Sequence, residues 1–244
     1  MNCYVICRDR LTPLKELVKW LQTCTEINII LVDNASSYPP LLQWYKSLEG
    51  TKIVVWRNTK NYGSKALWDP VAGFYIEGSY IVCDCDIGPT EETGSLKDMV
   101  YDCVSILAEF PHLTKVGPSL KIDDLPDHYK FKNDVILWES QFWEKELVTD
   151  YDSMGTRGYA IYDAPLSTTF AVHRAGSGYH GPSARLGPPY IIKHQPWYLD
   201  SNNLSEEELY YTAHLEHLGE AGESNWNELG DIPASLRSKI DKLK

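Results

Sequence analysis

Asp84 and Asp86 stand one residue apart at the end of an apolar run, Tyr80-Ile81-Val82-Cys83, just ahead of Ile87-Gly88. In an extended chain they share side-chain parity. Both carboxylates then point to one face, roughly 6.5–7 Å apart along the strand. Two like charges on one face repel unless a cation lies between or beside them. Carboxylate oxygens are hard ligands that suit Mg²⁺ or Mn²⁺. The stretch therefore reads as a buried strand ending in a divalent-metal site. The plainer reading is a strand end running into a polar turn, since Asp and Gly-Pro are ordinary turn residues. The spacing alone does not separate the two.

The elements around this stretch give it a setting. Asn2 to Cys7 is an apolar run that reads as a first strand, followed by the polar loop Arg8-Asp9-Arg10. Thr12 suits an N-cap with Pro13 at the first helical position, and Leu14, Leu17, Val18 and Leu21 recur at helical spacing. Ile27 to Val32 is a β-branched run ending at Asp33-Asn34-Ala35-Ser36. A helical segment from about Pro40 to Leu48 leads to a third strand, Lys52 to Trp56, which ends at Arg57-Asn58. Gly63 to Trp68 reads as a helix start before the Tyr80 strand. Strand and helix alternate, so an α/β fold with a mainly parallel sheet is expected. In such sheets ligands bind beyond the carboxyl ends of the strands. Arg8 and Arg10, Asp33, Asn58 to Asn61, and Asp84 with Asp86 would all lie at that edge.

Further along, Leu96 to Phe110 carries a helical apolar stripe, and Lys115 to Ile122 reads as a strand entering Asp123-Asp124-Leu125-Pro126-Asp127. Asn133 to Glu146 reads as a helix, Phe170 to His173 as a strand, and Tyr190 to His194 as a last short strand. The Gly-, Pro- and Tyr-rich stretch Gly176 to Pro189 reads as a mobile loop. Ser205-Glu206-Glu207-Glu208 is a capping-box pattern that opens a surface helix. No repeat, low-complexity segment or linker divides the chain, so one domain is expected.

Composition narrows the function classes. A formal charge of −11 over 244 residues argues against nucleic-acid binding, which needs clustered Lys and Arg. It leaves room for a local basic pocket that takes one small anion. The six cysteines lack C-x-x-C spacing and read as small core residues in a reducing compartment. No apolar run approaches the roughly 20 residues of a membrane span, and no secretory h-region opens the chain. A soluble, cytoplasmic protein is the expectation. Eight Trp and sixteen Tyr are abundant; some could face a sugar or a base, though most read as core.

Four motifs in residues 3–90 together resemble the nucleotide-sugar-binding half of a GT-A fold glycosyltransferase of the glycosyltransferase family 2 type. They are Val5-Ile6-Cys7-Arg8-Asp9-Arg10, Val32-Asp33-Asn34-Ala35-Ser36, Asn61-Tyr62-Gly63 with Ala66, and Cys83-Asp84-Cys85-Asp86. Their order and spacing agree with the family. The later blocks Gly117 to Asp127, Trp138-Glu139, Thr168 to Ala171 and His194 to Tyr198 look like a bacterial and viral subgroup, more loosely. The resemblance implies a Rossmann-like, mixed but mainly parallel sheet flanked by helices. It implies a nucleotide-sugar-binding half over about 1–95, an acceptor and catalytic half over about 96–205, and a helical tail over about 206–244.

The resemblance also implies roles. Asp86 would ligate Mn²⁺ or Mg²⁺. Asp84 would reach the ribose, or the metal through water, and His194 would be a third ligand, with His173 and His180 weaker choices. Asp33 would accept from a base such as uracil, beside Asn61. Arg8, Arg10, Lys65 and Arg185 could meet the diphosphate, Arg185 by closing from its loop. An inverting transfer needs a general base for the acceptor hydroxyl. Asp123, Asp124 and Glu139 are the candidates, with Asp127 or Asp163 as substitutes. The partners would be a nucleoside-diphosphate sugar, leaning to uridine, and a glycan or small-molecule acceptor. A nucleotidyltransferase fits less well, because its first loop should be Gly-rich and Cys7 to Thr12 contains no glycine. A carbohydrate-binding module needs aromatics but no paired carboxylates at a sheet edge.

Overall fold

The computed structural model describes residues 1–69, 72, 74–147, 158–200, 202–214, 238 and 241–242. The element order is β1 (Asn2–Cys7), α1 (Thr12–Leu21), β2 (Asn28–Asp33), α2 (Pro39–Ser47), β3 (Val54–Arg57), a 3-10 helix (Gly63–Trp68), β4 (Tyr80–Asp84), β5 (Ile87–Pro89), α3 (Leu96–Glu109) and β6 (Lys115–Leu120). Then come α4 (Lys132–Ser140), a 3-10 turn (Gln141–Trp143), β7 (Ile161–Asp163), β8 (Phe170–His173), β9 (Ser183–His194), another 3-10 turn (Gln195–Tyr198) and α5 (Glu206–Ala213).

The nine strands among the described residues join one sheet in the order β3-β2-β1-β4-β8-β6-β9-β5, with β7 also paired to β9. The pairings make β1, β2, β3, β4, β6 and β9 parallel; β5, β7 and β8 run the other way. The fold is thus α/β with a mixed, mainly parallel sheet. Side-chain alternation puts Val5, Cys7, Ile81 and Cys83 on one face, in a cluster with Leu14, Leu17, Met99 and Ile106 from α1 and α3. Tyr4, Ile6, Tyr80 and Val82 take the other face with Ala66 and Leu67 of the 3-10 helix. Leu14, Leu17 and Leu21 are fully buried, each contributing about 1.5–3 kcal/mol by leaving water.

β8 enters the sheet between β4 and β6, and Gly117 of β6 makes room for it. A Cβ at Gly117 would lie 2.1 Å from the Phe170 carbonyl oxygen. No side chain fits that approach.

Several elements differ from the sequence reading. Gly63 to Trp68 is a 3-10 helix. Thr12 lies inside α1, and its N–H donates to the Glu207 carboxylate at 3.1 Å, so the helix start is capped from α5. The stretch read as a mobile loop becomes β9 from Ser183 onward. Pairing with β6, β7 and β5 outweighs its Gly and Pro content. The prolines sit where the ladder is interrupted, because the register jumps from Pro118↔Leu186 to Ser119↔Ile191 and leaves Gly187 to Tyr190 unpaired with β6. Of the expected helical tail, α5 is described; residues 215–237 lie outside the described residues. No helix among the described residues is long and apolar enough to cross a membrane.

Candidate active site

The parallel strands deliver their ends to one edge. Cys7 pairs with Asp33, Asp33 with Arg57, and Ile6 with Asp84. β6 and β9, parallel to them, end at Leu120 and His194. Asp86 is not in β4; it occupies the turn Cys85–Asp86 before β5. β5 pairs with β9, placing Ile87 opposite His194, and the Gln195 N–H donates to the Asp86 carbonyl at 2.7 Å. This pairing brings His194 Nε2 to 3.6 Å from Asp86 Oδ1.

A buried row of charges surrounds that contact. The Arg10 guanidinium donates through Nη1 to Asp86 Oδ2 and through Nη2 to Glu208 Oε2, the latter at 3.0 Å. Its Cζ lies 3.9 Å from the centroid of the Tyr211 ring. On the other side, Arg185 Nη1 donates to Glu139 Oε2 at 2.6 Å. Glu139 lies near enough to His194 to favour its protonated form. Burial acts against that: it lowers the His194 pKa, with Asp86 opposing, so burial favours the neutral, ligating imidazole. His194 Nδ1 is buried with no hydrogen-bond partner among the described residues. Asp84 receives a hydrogen bond from Thr168; burial and then the Asp86 charge push its pKa up.

These groups fit a divalent cation. Arg10 meets Asp86 and Glu208, Arg185 meets Glu139, and the second oxygen of Asp86 faces His194. An Asp86–His194 gap of 3.6 Å is under twice a ligand distance of about 2.1 Å, so one ion can touch both. Among the described residues no three His, Cys, Asp or Glu side chains gather as a metal-holding group. Mg²⁺ keeps waters and takes substrate phosphates, so two protein donors suffice. His173 lies at the opposite sheet edge, paired with Tyr80 and Lys115 at the starts of β4 and β6 and stacked on the Tyr80 ring at 4.9 Å. His180, beside Tyr179, is exposed.

At the β2–β3 end, Asp33 is fully buried. Its Oδ1 accepts from Tyr45 Oη at 3.1 Å, and its Oδ2 from the Ser36 N–H at 3.2 Å and Arg57 Nε at 3.0 Å. Arg57 is half-exposed and also donates to the Ser36 carbonyl. Asn34 ties the neighbouring loops: it accepts from Asn58 and donates to the Gly63 carbonyl. Asn61 accepts from the Gly63 N–H. Arg8 spans from the Asn34 carbonyl to the His214 carbonyl at the end of α5. Lys65 Nζ lies 5.2 Å from the centroid of the Tyr179 ring.

Arg185 is a buried β9 residue rather than a loop residue. Asp123 is exposed and paired with Lys121 at 3.0 Å. Asp124 accepts from Tyr198 Oη at 2.6 Å. Asp127 and Asp163 are engaged with Lys132 and Lys145. Of the aromatics, Phe142 and Trp197 are buried, while Trp138 and Trp143 are partly exposed near Glu139.

Glu208, Tyr211 and Glu207 were not legible as site residues. The capping-box pattern does predict that Ser205 caps α5, and its hydroxyl accepts from the Glu208 N–H at 3.2 Å. The Glu208 carboxylate goes elsewhere, to Arg10, across nearly the whole chain. Arg57 carried a signal, because it directly follows a β-branched run and aligns with Asp33.

No family profile matches the sequence, and no curated protein matches it. The fold is similar to a mannosyltransferase from Pyrobaculum calidifontis solved with GDP-Man and Mn²⁺, at TM-score 0.38 and 16% identity over 50% of this chain and 36% of that one. It is similar to residues 1–349 of S. aureus TarS, at TM-score 0.43 and 16% identity over 70% and 46%. The same TarS segment with UDP-GlcNAc gives TM-score 0.41 and 16% identity over 71% and 44%. This chain thus spans less than half the length of each.

Proposed function

We propose that this chain is a metal-dependent glycosyltransferase. It moves a sugar from a nucleoside-diphosphate sugar to a hydroxyl of a glycan or small acceptor, with inversion at the anomeric carbon. The observation that carries this reading is the approach of Asp86 and His194 to 3.6 Å beside Asp84, at the carboxyl edge of the parallel strands. Asp86 and His194 would hold Mn²⁺ or Mg²⁺, which when bound supplies positive charge to the departing diphosphate. Asp84 would face the ribose or reach the ion through water.

Asp33 is buried, with its oxygens taken by Tyr45, Ser36 and Arg57, so in this reading it orients the half-exposed Arg57 guanidinium, which would donate to a carbonyl of the base. Uracil presents such carbonyls, so a uridine donor fits this end. For the acceptor, Glu139 is the base in this reading. Arg185 holds its Oε2, which leaves Oε1 as the oxygen turned to the acceptor in this reading. That oxygen can take the proton of the attacking hydroxyl. Asp124, held by Tyr198, is the second candidate, and Glu139→Gln against Asp124→Asn separates them.

A thermal-shift panel of nucleoside diphosphates and their sugars, with and without Mn²⁺, tests the reading. Stabilisation by one nucleotide that grows with Mn²⁺ is expected. A flat panel sinks the proposal. Asp86→Ala distinguishes a transferase, which loses metal-dependent nucleotide binding, from a carbohydrate-binding module, which keeps its glycan affinity.

A further inference from the structure

α5 is joined to the candidate metal site by contacts that the proposed reaction does not by itself require. Glu207 caps α1 at Thr12, Tyr210 Oη donates to Ser37 Oγ at 3.0 Å, and Arg8 reaches the His214 carbonyl. These fix the helix against the first two strand ends. Glu208 and Tyr211, on the same helix, both engage Arg10.

The way Arg10 is shared matters. A guanidinium facing a carboxylate readily binds it through two parallel N–H···O bonds. Here the fork is divided: Nη1 goes to Asp86 Oδ2 and Nη2 to Glu208 Oε2. The Tyr211 ring lies against the guanidinium and fixes its plane. Because Nη2 is taken, Asp86 Oδ1 is left facing His194 at 3.6 Å.

Resting on the metal reading above, we infer that Glu208 and Tyr211 are positioning residues for the metal carboxylate. By holding one arm of Arg10, α5 keeps Arg10 from closing on both oxygens of Asp86, and so keeps Oδ1 open for the ion. Without Glu208, Arg10 turns both arms onto Asp86 and competes with the cation. Groups that orient metal ligands from behind are worth roughly 10–100-fold in metal affinity.

Mn²⁺ titration of the full chain, followed by electron paramagnetic resonance of free Mn²⁺, tests this. Glu208→Gln is expected to weaken Mn²⁺ binding by about tenfold or more. Glu206→Gln removes the same charge from an exposed site one turn-start away and is expected to leave binding unchanged. The double variant Arg10→Met/Glu208→Gln frees Asp86 again and is expected to restore binding to the wild-type level or better. That restoration separates a blocked carboxylate from a loosened helix. Wild-type affinity in Glu208→Gln, or a double variant no better than Glu208→Gln, overturns the inference and leaves the transferase reading standing. A wild-type chain that binds no Mn²⁺ overturns the inference together with the metal site; if it also binds no nucleotide, the transferase reading falls too.

Discussion

Asp86 Oδ1 and His194 Nε2 face each other across 3.6 Å because β5 and β9 pair, with Ile87 opposite His194. Among the described residues no third His, Cys, Asp or Glu gathers with them as a metal-holding group. Removing the imidazole should therefore weaken the site while leaving its charge. His194→Ala is expected to lower Mn²⁺ affinity by about tenfold or more, and Asp86→Ala to abolish it. Isothermal titration with Mn²⁺ checks both; unchanged affinity in His194→Ala would remove His194 from the ligand set.

Arg185 and Glu139 form a buried ion pair at 2.6 Å, with Arg185 also donating to the Pro165 carbonyl at 2.8 Å. Deleting one partner strands the other charge. Arg185→Met is expected to cost about 3–5 kcal/mol of stability, whereas replacing both partners by apolar residues should cost far less. Urea unfolding of the single and double variants measures the difference.

The approach of the Phe170 carbonyl to Gly117 leaves no space for a methyl group. Gly117→Ala is expected to destabilise the fold by about 1–3 kcal/mol through displacement of β8. The loss appears as a lower denaturation midpoint, and a neutral result would mean that β8 can shift freely.

His173 is fully buried and packs on Tyr80 and Trp68, facing Lys115 across the strand pair. Burial and then the Lys115 charge lower its pKa from 6.5 to about 3. Burial lowers Lys115 to about 8, so it stays charged throughout the acid range. Between about pH 3 and 6.5 the unfolded chain binds a proton at His173 that the folded chain refuses. Stability from this residue is therefore complete above pH 6.5 and declines as pH falls toward 3. His173→Phe is expected to flatten the pH dependence, by about 2–3 kcal/mol between pH 6.5 and 4. Chemical denaturation of both proteins at several pH values shows it, and identical slopes would count against the assignment.

Much of the first half was legible because its strands are short β-branched runs ended by polar residues, and parallel pairing puts those ends together. Asp33 and Asp84 needed nothing else. β5 and β7 were not legible. Each has three residues, and Ile87-Gly88-Pro89 carries no strand signal. β9 was hidden by its prolines, which sit at an interruption of the ladder rather than breaking the strand. The expected face-sharing of Asp84 and Asp86 gave way to a turn at Asp86, since pairing of β5 with β9 redirects the chain there. Glu208 could not have been paired with Arg10 from spacing. A contact between the start and the far end of a chain leaves no periodic trace.

The insertion of β8 between β4 and β6 has a consequence for synthesis. A nascent chain that ends before Phe170 already contains Asp84 and Asp86, yet β4 has a neighbour on only one side. Its other edge stays open, a template for pairing with the wrong strand, until late in translation. The first half of the chain carries the motifs, but the last third closes the edge and delivers His194, Glu208 and Tyr211. A fragment made from the motif-bearing half alone is thus expected to emerge insoluble, and a stalled ribosome to hold a protein with its carboxylates present and its site unbuilt.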